Sequence, residues 1–256
     1  MVWLHCGAEY MISNNIRSSR GYMSHDPYWN DVRLFLNNET GVYVDQSANA
    51  YTMSNTVASG GNGVVQASFS VNSNSGYSAY YDGKSYMYAP IGLQLGAGDY
   101  TVEGWFYWSA QTGLQHNQNQ ILFASRNTSA GTNFWVGINC ANSTVGYGNF
   151  VVNNTYSSAP YSSAPYSLVP LNSWTHIAAC RFGTLNTLYK NGQPYLTVTS
   201  SSNLTFSSAF GVGGNQYIAT NYDDYFRGYI DDFRVTVGYC RYKTAFTPPI
   251  PPLPKA

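Results

Sequence analysis

Few side chains in this sequence are suited to chemistry. Of 256 residues only 9% are charged, with 12 Asp and Glu against 12 Lys and Arg. The only glutamates are Glu9, Glu39 and Glu103. Retaining glycoside cleavage needs two carboxyls about 5–5.5 Å apart, and no two of these glutamates share a short motif. Asp223-Asp224 and Asp231-Asp232 are adjacent pairs, whose side chains point to opposite faces of an extended strand. No catalytic residue is assigned on this basis, which leaves only a pair assembled from distant loops. His5, His25, His116 and His176 share no metal-binding spacing. No G-x-S-x-G nucleophile elbow occurs. The glycines of GVGGN (211–215) lack a strand–helix context and read as a β turn. Cys6, Cys140, Cys180 and Cys240 contain no C-x-x-C. Isolated cysteines are mostly small core residues, although a Cys140–Cys180 bridge is geometrically allowed in a sheet.

One carboxylate stands out by position. If residues 225–240 form one regular strand, Tyr229, Asp231, Phe233, Val235 and Val237 share its more apolar face. A buried carboxylate needs an Arg, backbone N–H groups or a cation, or else it protonates. A bulge would exchange the faces of Asp231 and Asp232.

The composition excludes several classes. Zero formal net charge offers no basic surface for nucleic acid. No apolar run reaches the 18 or so residues of a membrane span. The opening MVWLHCGAEYMISNN lacks the basic and apolar regions of a secretory signal, so synthesis in the cytoplasm without a signal peptide is expected. The 24 tyrosines, with abundant Ser, Asn and Gly, suit β strands and also suit contact surfaces.

The elements that must position these residues are strands. DYTVEGWFYWSA (99–110) alternates with aromatics on both faces. SWTHIAACR (173–181) and LNTLYKNGQPYLTV (185–198) form a hairpin pair, with Asn191-Gly192 as a type I′ tip. SAYYDGKSYMYAP (78–90) reads as a hairpin about Asp82-Gly83. DVRLFL, QILFASR, TNFWVGINC and YFRGYIDDFRVTVGYC add further strands. No window carries a helical stripe, so the fold class is all-β, an antiparallel two-sheet β-sandwich or jelly roll. Residues 1–26 read as an extended N-terminal arm, 27–245 as the body and 246–256 as a Pro-rich extended tail. The repeat YSSAP-YSSAP-YSLVP (156–170) reads as a Pro-pinned loop. Two loops mix aromatic and amide or carboxylate groups suited to glycan or partner contact. One displays Tyr156, Tyr161 and Tyr166, and the other Tyr217, Tyr222 and Tyr225.

Five segments in order carry a resemblance: DPYWNDVRLFLNNETGVYVDQSANA, SAYYDGKSYMYAP, DYTVEGWFYWS, SWTHIAACR with YKNGQPY, and FRGYIDDFRVTVGYCRY followed by FTPP. Over about residues 26–250 the chain resembles the LamG-like, concanavalin A-like lectin/glucanase jelly roll. The DPYW and GYCRY…FTPP segments are similar to the form found in tailed-phage virion proteins. The resemblance implies a two-sheet jelly roll, frequent glycan binding and often a structural Ca2+, with Asp82, Asp231 and Asp232 as its contributors; a hydrogen-bonded Asp without metal is the alternative. The E-x-D-x-x-E pattern of the laminarinase branch is missing, so a non-enzyme is expected. The expected role is a structural protein on a phage virion surface, a capsid decoration or tail component. The arm would dock on other virion proteins, with homo-oligomers and host-surface polysaccharide as further partners. A free-standing glycan-binding lectin or adhesin is the alternative, and a glycoside hydrolase the third reading.

Overall fold

The computed structural model describes residues 25–90, 92–109, 119–126, 133–139, 147–158, 168–215 and 225–255, to which all structural statements refer. Their strands, in chain order, are β1 (Val32–Leu36), β2 (Ser54–Val57), β3 (Val65–Ala67), β4 (Ser78–Asp82), β5 (Ser85–Ala89), β6 (Tyr100–Trp108), β7 (Asn119–Arg126), β8 (Asn133–Asn139), β9 (Tyr147–Val152), β10 (Thr155–Ser158), β11 (Trp174–Phe182), β12 (Leu185–Lys190), β13 (Gln193–Thr199), β14 (Phe210–Val212) and β15 (Arg227–Val237). Among the described residues the only helical piece is the 3-10 turn Trp29–Asp31. The fold is thus the expected antiparallel two-sheet sandwich. One sheet runs β13-β12-β11-β6-β15-β4-β3, with β1 also on β15; the other runs β10-β9-β8-β7-β14-β5-β2.

Alternation explains the core. On β6, Tyr100, Val102, Phe106 and Trp108 turn inward, where they meet Phe123, Phe134, Phe150 and Phe210 from the second sheet. Glu103, Trp105 and Tyr107 consequently point to the outer face. The β12–β13 hairpin turns at Asn191 and Gly192, both at positive φ (47° and 76°), as its type I′ signature requires.

Three sequence expectations change. The Asp82-Gly83 connection is not a hairpin. β4 pairs with β15 and β3, while β5 pairs with β14 and β2 in the opposite sheet. The turn arches across the sandwich because both strands carry apolar residues for the shared core, Ala79 and Tyr81 on one and Met87 and Ala89 on the other. Second, strand β10 occupies the start of the repeat, before its first proline; residues 159–167 lie outside the described residues. Third, β15 is bulged between Asp231 and Arg234, with Asp232 at φ 46°. Its core face is Ile230, Phe233 and Val235, so Tyr229 and Asp231 face outward.

The Pro-rich tail runs as a strap over the outer face of the first sheet. Phe246 N donates to Gly192 O at 2.9 Å, Trp105 Nε1 to Pro249 O at 3.2 Å, and Leu253 N to an Asp232 carboxylate oxygen at 2.8 Å. Asp26 N donates to Lys255 O at 2.8 Å, which joins both terminal segments. Of the expected arm, residues 1–24 lie outside the described residues, while Asp26 is buried within the body.

Candidate functional site

Strand register divides the outer face of the first sheet into cross-strand rows. One row is mostly aromatic: Val65 opposes Tyr80, Tyr80 opposes Tyr229, Tyr229 opposes Tyr107 and Tyr107 opposes Trp174. Five adjacent strands at about 4.8 Å spacing make this row ~19 Å long. Phe69 lies over it, its centroid 4.6 Å from Tyr229, 4.9 Å from Tyr107 and 5.7 Å from Trp174. Phe69 is 39% exposed, and Val65 and Tyr77 are exposed beside it. Partial burial, and then the neighbouring Tyr80 and Tyr107 hydroxyls, raise the Tyr229 phenol. The row therefore combines aromatic surface with close-set phenols, an amphipathic combination suited to recognition.

The next rows lie under the strap. Trp105 opposes Asp231 and His176, and Glu103 opposes Arg234 and Ala178. Glu103 is fully buried. Its Oε1 accepts from Arg234 Nη2 at 2.7 Å and Nε at 3.0 Å, and its Oε2 accepts from the Tyr242 hydroxyl at 2.7 Å. His176 Nε2 stands 3.3 Å from Oε2. Burial alone would raise the Glu103 carboxyl, but Arg234, His176 and Arg241 outweigh it and hold it well below the usual range. Asp26 accepts from Arg234 at 2.9 Å and from two Arg241 nitrogens at 3.0 and 2.8 Å. Tyr28 stacks on Tyr239 at 3.7 Å. The DPYW and GYCRY segments thus form one structural unit. Its carboxylates are structural anchors, without a free pair set for acid–base cleavage among the described residues.

The bulge forms a third feature. β15 pairs with β4 up to Ile230 and with β1 from Phe233 on, so the bulge opens where one neighbour gives way to the other. Asp231 accepts from Ser75 Oγ at 2.7 Å and from Asp232 N at 2.9 Å. Asn38 Nδ2 donates to Ile230 O at 3.1 Å. Asp232 Oδ1 and Asn38 Oδ1 are buried without a hydrogen-bond partner. Burial pushes Asp231 up to about 7. Burial and then the Asp231 charge push Asp232 well up. Unpaired carboxyl and amide oxygens are the donor type that Ca2+ accepts. Among the described residues no three or more His, Cys, Asp or Glu gather as a metal cluster.

The sequence-based site residues separate in space. Asp82 does not join Asp231 and Asp232: it opposes Arg227, four residues back along β15, or ~13 Å in a strand. Its carboxylate accepts from Asn62 N at 2.6 Å and Lys84 N at 2.8 Å, shaping the arch. Tyr225 is only 4% exposed and stacks on Tyr86 at 5.6 Å, so its ring is not a displayed contact. Tyr156 lies on β10. Tyr161, Tyr166, Tyr217 and Tyr222 lie outside the described residues. The row of Tyr80, Tyr107, Trp174 and Tyr229 escaped sequence reading. Each residue sits at an outward position of its strand, but their alignment depends on register between distant strands.

A two-sheet lectin-type sandwich with an aromatic outer row is the class these features define. The family model of the Concanavalin A-like lectin/glucanases superfamily matches residues 81–238, and the chain belongs to that superfamily. Among solved structures it is similar to domain 4 of AbnA, a GH43 extracellular arabinanase from Geobacillus stearothermophilus, in complex with arabinotriose. The identity is 17%, covering 82% of this chain and 94% of that one, with a TM-score of 0.58. It is also similar to the receptor binding domain of botulinum neurotoxin D (16% identity, 82% and 50% covered, TM-score 0.56). A third likeness is to botulinum neurotoxin type C, whose cell entry is described as dependent upon interaction with two ganglioside molecules (14% identity, 81% and 48% covered, TM-score 0.54). This chain spans about half of each neurotoxin chain. No curated protein matches the sequence.

Proposed function

We propose that this chain is a non-catalytic glycan-binding domain whose contact surface is the aromatic row on the first sheet. The observation that carries the reading is the in-register alignment of Tyr80, Tyr229, Tyr107 and Trp174 under half-exposed Phe69. Aromatic rings offer faces to sugar C–H groups, and the phenols offer hydrogen bonds. Superfamily membership supports it, as do neighbours solved with arabinotriose or tied to gangliosides. The low charge favours a neutral glycan. The test is retardation of the intact chain in gels containing arabinan or a bacterial envelope polysaccharide. Tyr229→Ala with Trp174→Ala should weaken binding at least about tenfold, or about 1.4 kcal/mol, with an unchanged far-UV spectrum. Unaltered binding in that variant rejects the site.

Two finer readings accompany this one. The likeness of the DPYW and GYCRY…FTPP segments to tailed-phage virion proteins is the basis for display on a tailed-phage particle, with residues 1–24 as the anchor. Deleting them should abolish incorporation into particles while sparing glycan affinity. The unpaired oxygens of Asn38 and Asp232 support a structural Ca2+ at the β15 bulge.

A further inference from the structure

Cys180 and Cys240 are 60 residues apart in sequence and belong to no motif. Cys180 faces outward on β11, in the row where Thr101 opposes both it and Thr236. Thr101 Oγ1 donates to Tyr239 O at 3.3 Å and accepts from Arg241 N at 2.9 Å. The residues on either side of Cys240 are therefore pinned to the cross-strand partner of Cys180. Both cysteines are buried and free, and they pack in one cluster with Ala178 and Tyr189, against Tyr242 and Phe246. Each thiol shifts the titration of the other, as groups packed side by side do. Cys240 Sγ also donates to Tyr242 O at 3.3 Å. Cys240 stands at the root of the strap, so a bond here would tie the strap to the central sheet.

We propose that Cys180 and Cys240 are a dithiol clasp that closes to an intramolecular disulfide and locks the C-terminal strap on the sheet. The co-reactant is a low-molecular-weight disulfide. The Cys240 thiolate attacks one of its sulfurs, breaks the S–S bond and releases one small thiolate. The Cys180 thiolate then attacks the Cys240 sulfur of the mixed disulfide and expels the second small thiolate. Two protein thiols are oxidised and one small disulfide is reduced to two thiols. Cys240 is the attacking group: the neighbouring Cys180 lowers its thiol against the opposing effect of burial, whereas burial raises Cys180. Since both sulfurs are covered, the exchange requires the strap root to lift.

The test uses the full chain with Cys6→Ser and Cys140→Ser, incubated natively with oxidised glutathione. The expected result is loss of two titratable thiols, a Cys180–Cys240 cross-linked peptide by mass spectrometry, and a rise in unfolding midpoint on the order of 10 °C. Dithiothreitol should reverse all three. Adding Cys240→Ser should leave Cys180 unmodified in the folded chain. Cross-linking only in denaturant, stable glutathione adducts without the internal bridge, or an unchanged or lowered midpoint in the bridged form would each overturn the proposal.

Discussion

At the residue scale, the buried charges around Glu103 are the most consequential. Glu103 is bonded to Arg234 and Tyr242, and Arg234 and Arg241 share Asp26. Removing one member of such a network leaves buried charge unpaired, at a cost of about 3–5 kcal/mol. Glu103→Gln should lower stability by that order in urea unfolding, with Arg234 left partly uncompensated. The pH dependence follows from the sign of the Glu103 shift. Its carboxyl is held below the unfolded value of 4.5, so its contribution is complete above that value and is lost as pH falls further. Asp231 and Asp232, raised in the folded chain, gain stability as pH falls and oppose this loss, so the Glu103 contribution is read as the difference between the intact chain and Glu103→Gln at pH 7, 5 and 3, which should narrow only in the last interval. The sequence displayed Glu103 on a strand and allowed no catalytic pattern around it. It could not display the network, because Asp26 and Arg241 are separated by 215 residues.

Two elements carry local predictions. The β15 bulge holds two adjacent buried carboxyls, both raised by burial, with Asp232 Oδ1 unpaired, and a cation would favour their charged form. Millimolar CaCl2 should raise the unfolding midpoint and a chelator should lower it, with Asp232→Asn abolishing the response; an identical midpoint with and without CaCl2 in the intact chain rejects the cation. The second element is the strap. Gly192 sits at φ 76° in the hairpin tip, and a Cβ there would lie 1.8 Å from Phe246 O. Gly192→Ala meets both a left-handed backbone and a backbone clash, together worth about 2 kcal/mol or more. Strap displacement should uncover Trp105, read as a red shift in tryptophan emission and faster proteolysis after Tyr242. The Asn191-Gly192 dipeptide announced the turn, but nothing local announced that the tail would rest against it.

On the scale of the whole molecule, period-two patterning and turn dipeptides were enough to define a β-sandwich. Alternation makes one face of each strand apolar, and two such sheets bury those faces against each other. Strand partners were not legible, as the Asp82-Gly83 arch shows: the same dipeptide serves a hairpin within one sheet or a crossing between two. The choice rests on which distant strands, β15 and β14, take the neighbouring edges. The aromatic row, the acidic bulge and the Cys180–Cys240 contact share that dependence. Sequence determined which residue types alternate along each strand, because alternation is a local property of extended backbone. Tertiary structure alone decided which of them meet, because register and the path of the strap arise from hydrogen bonds and packing between segments far apart in the chain.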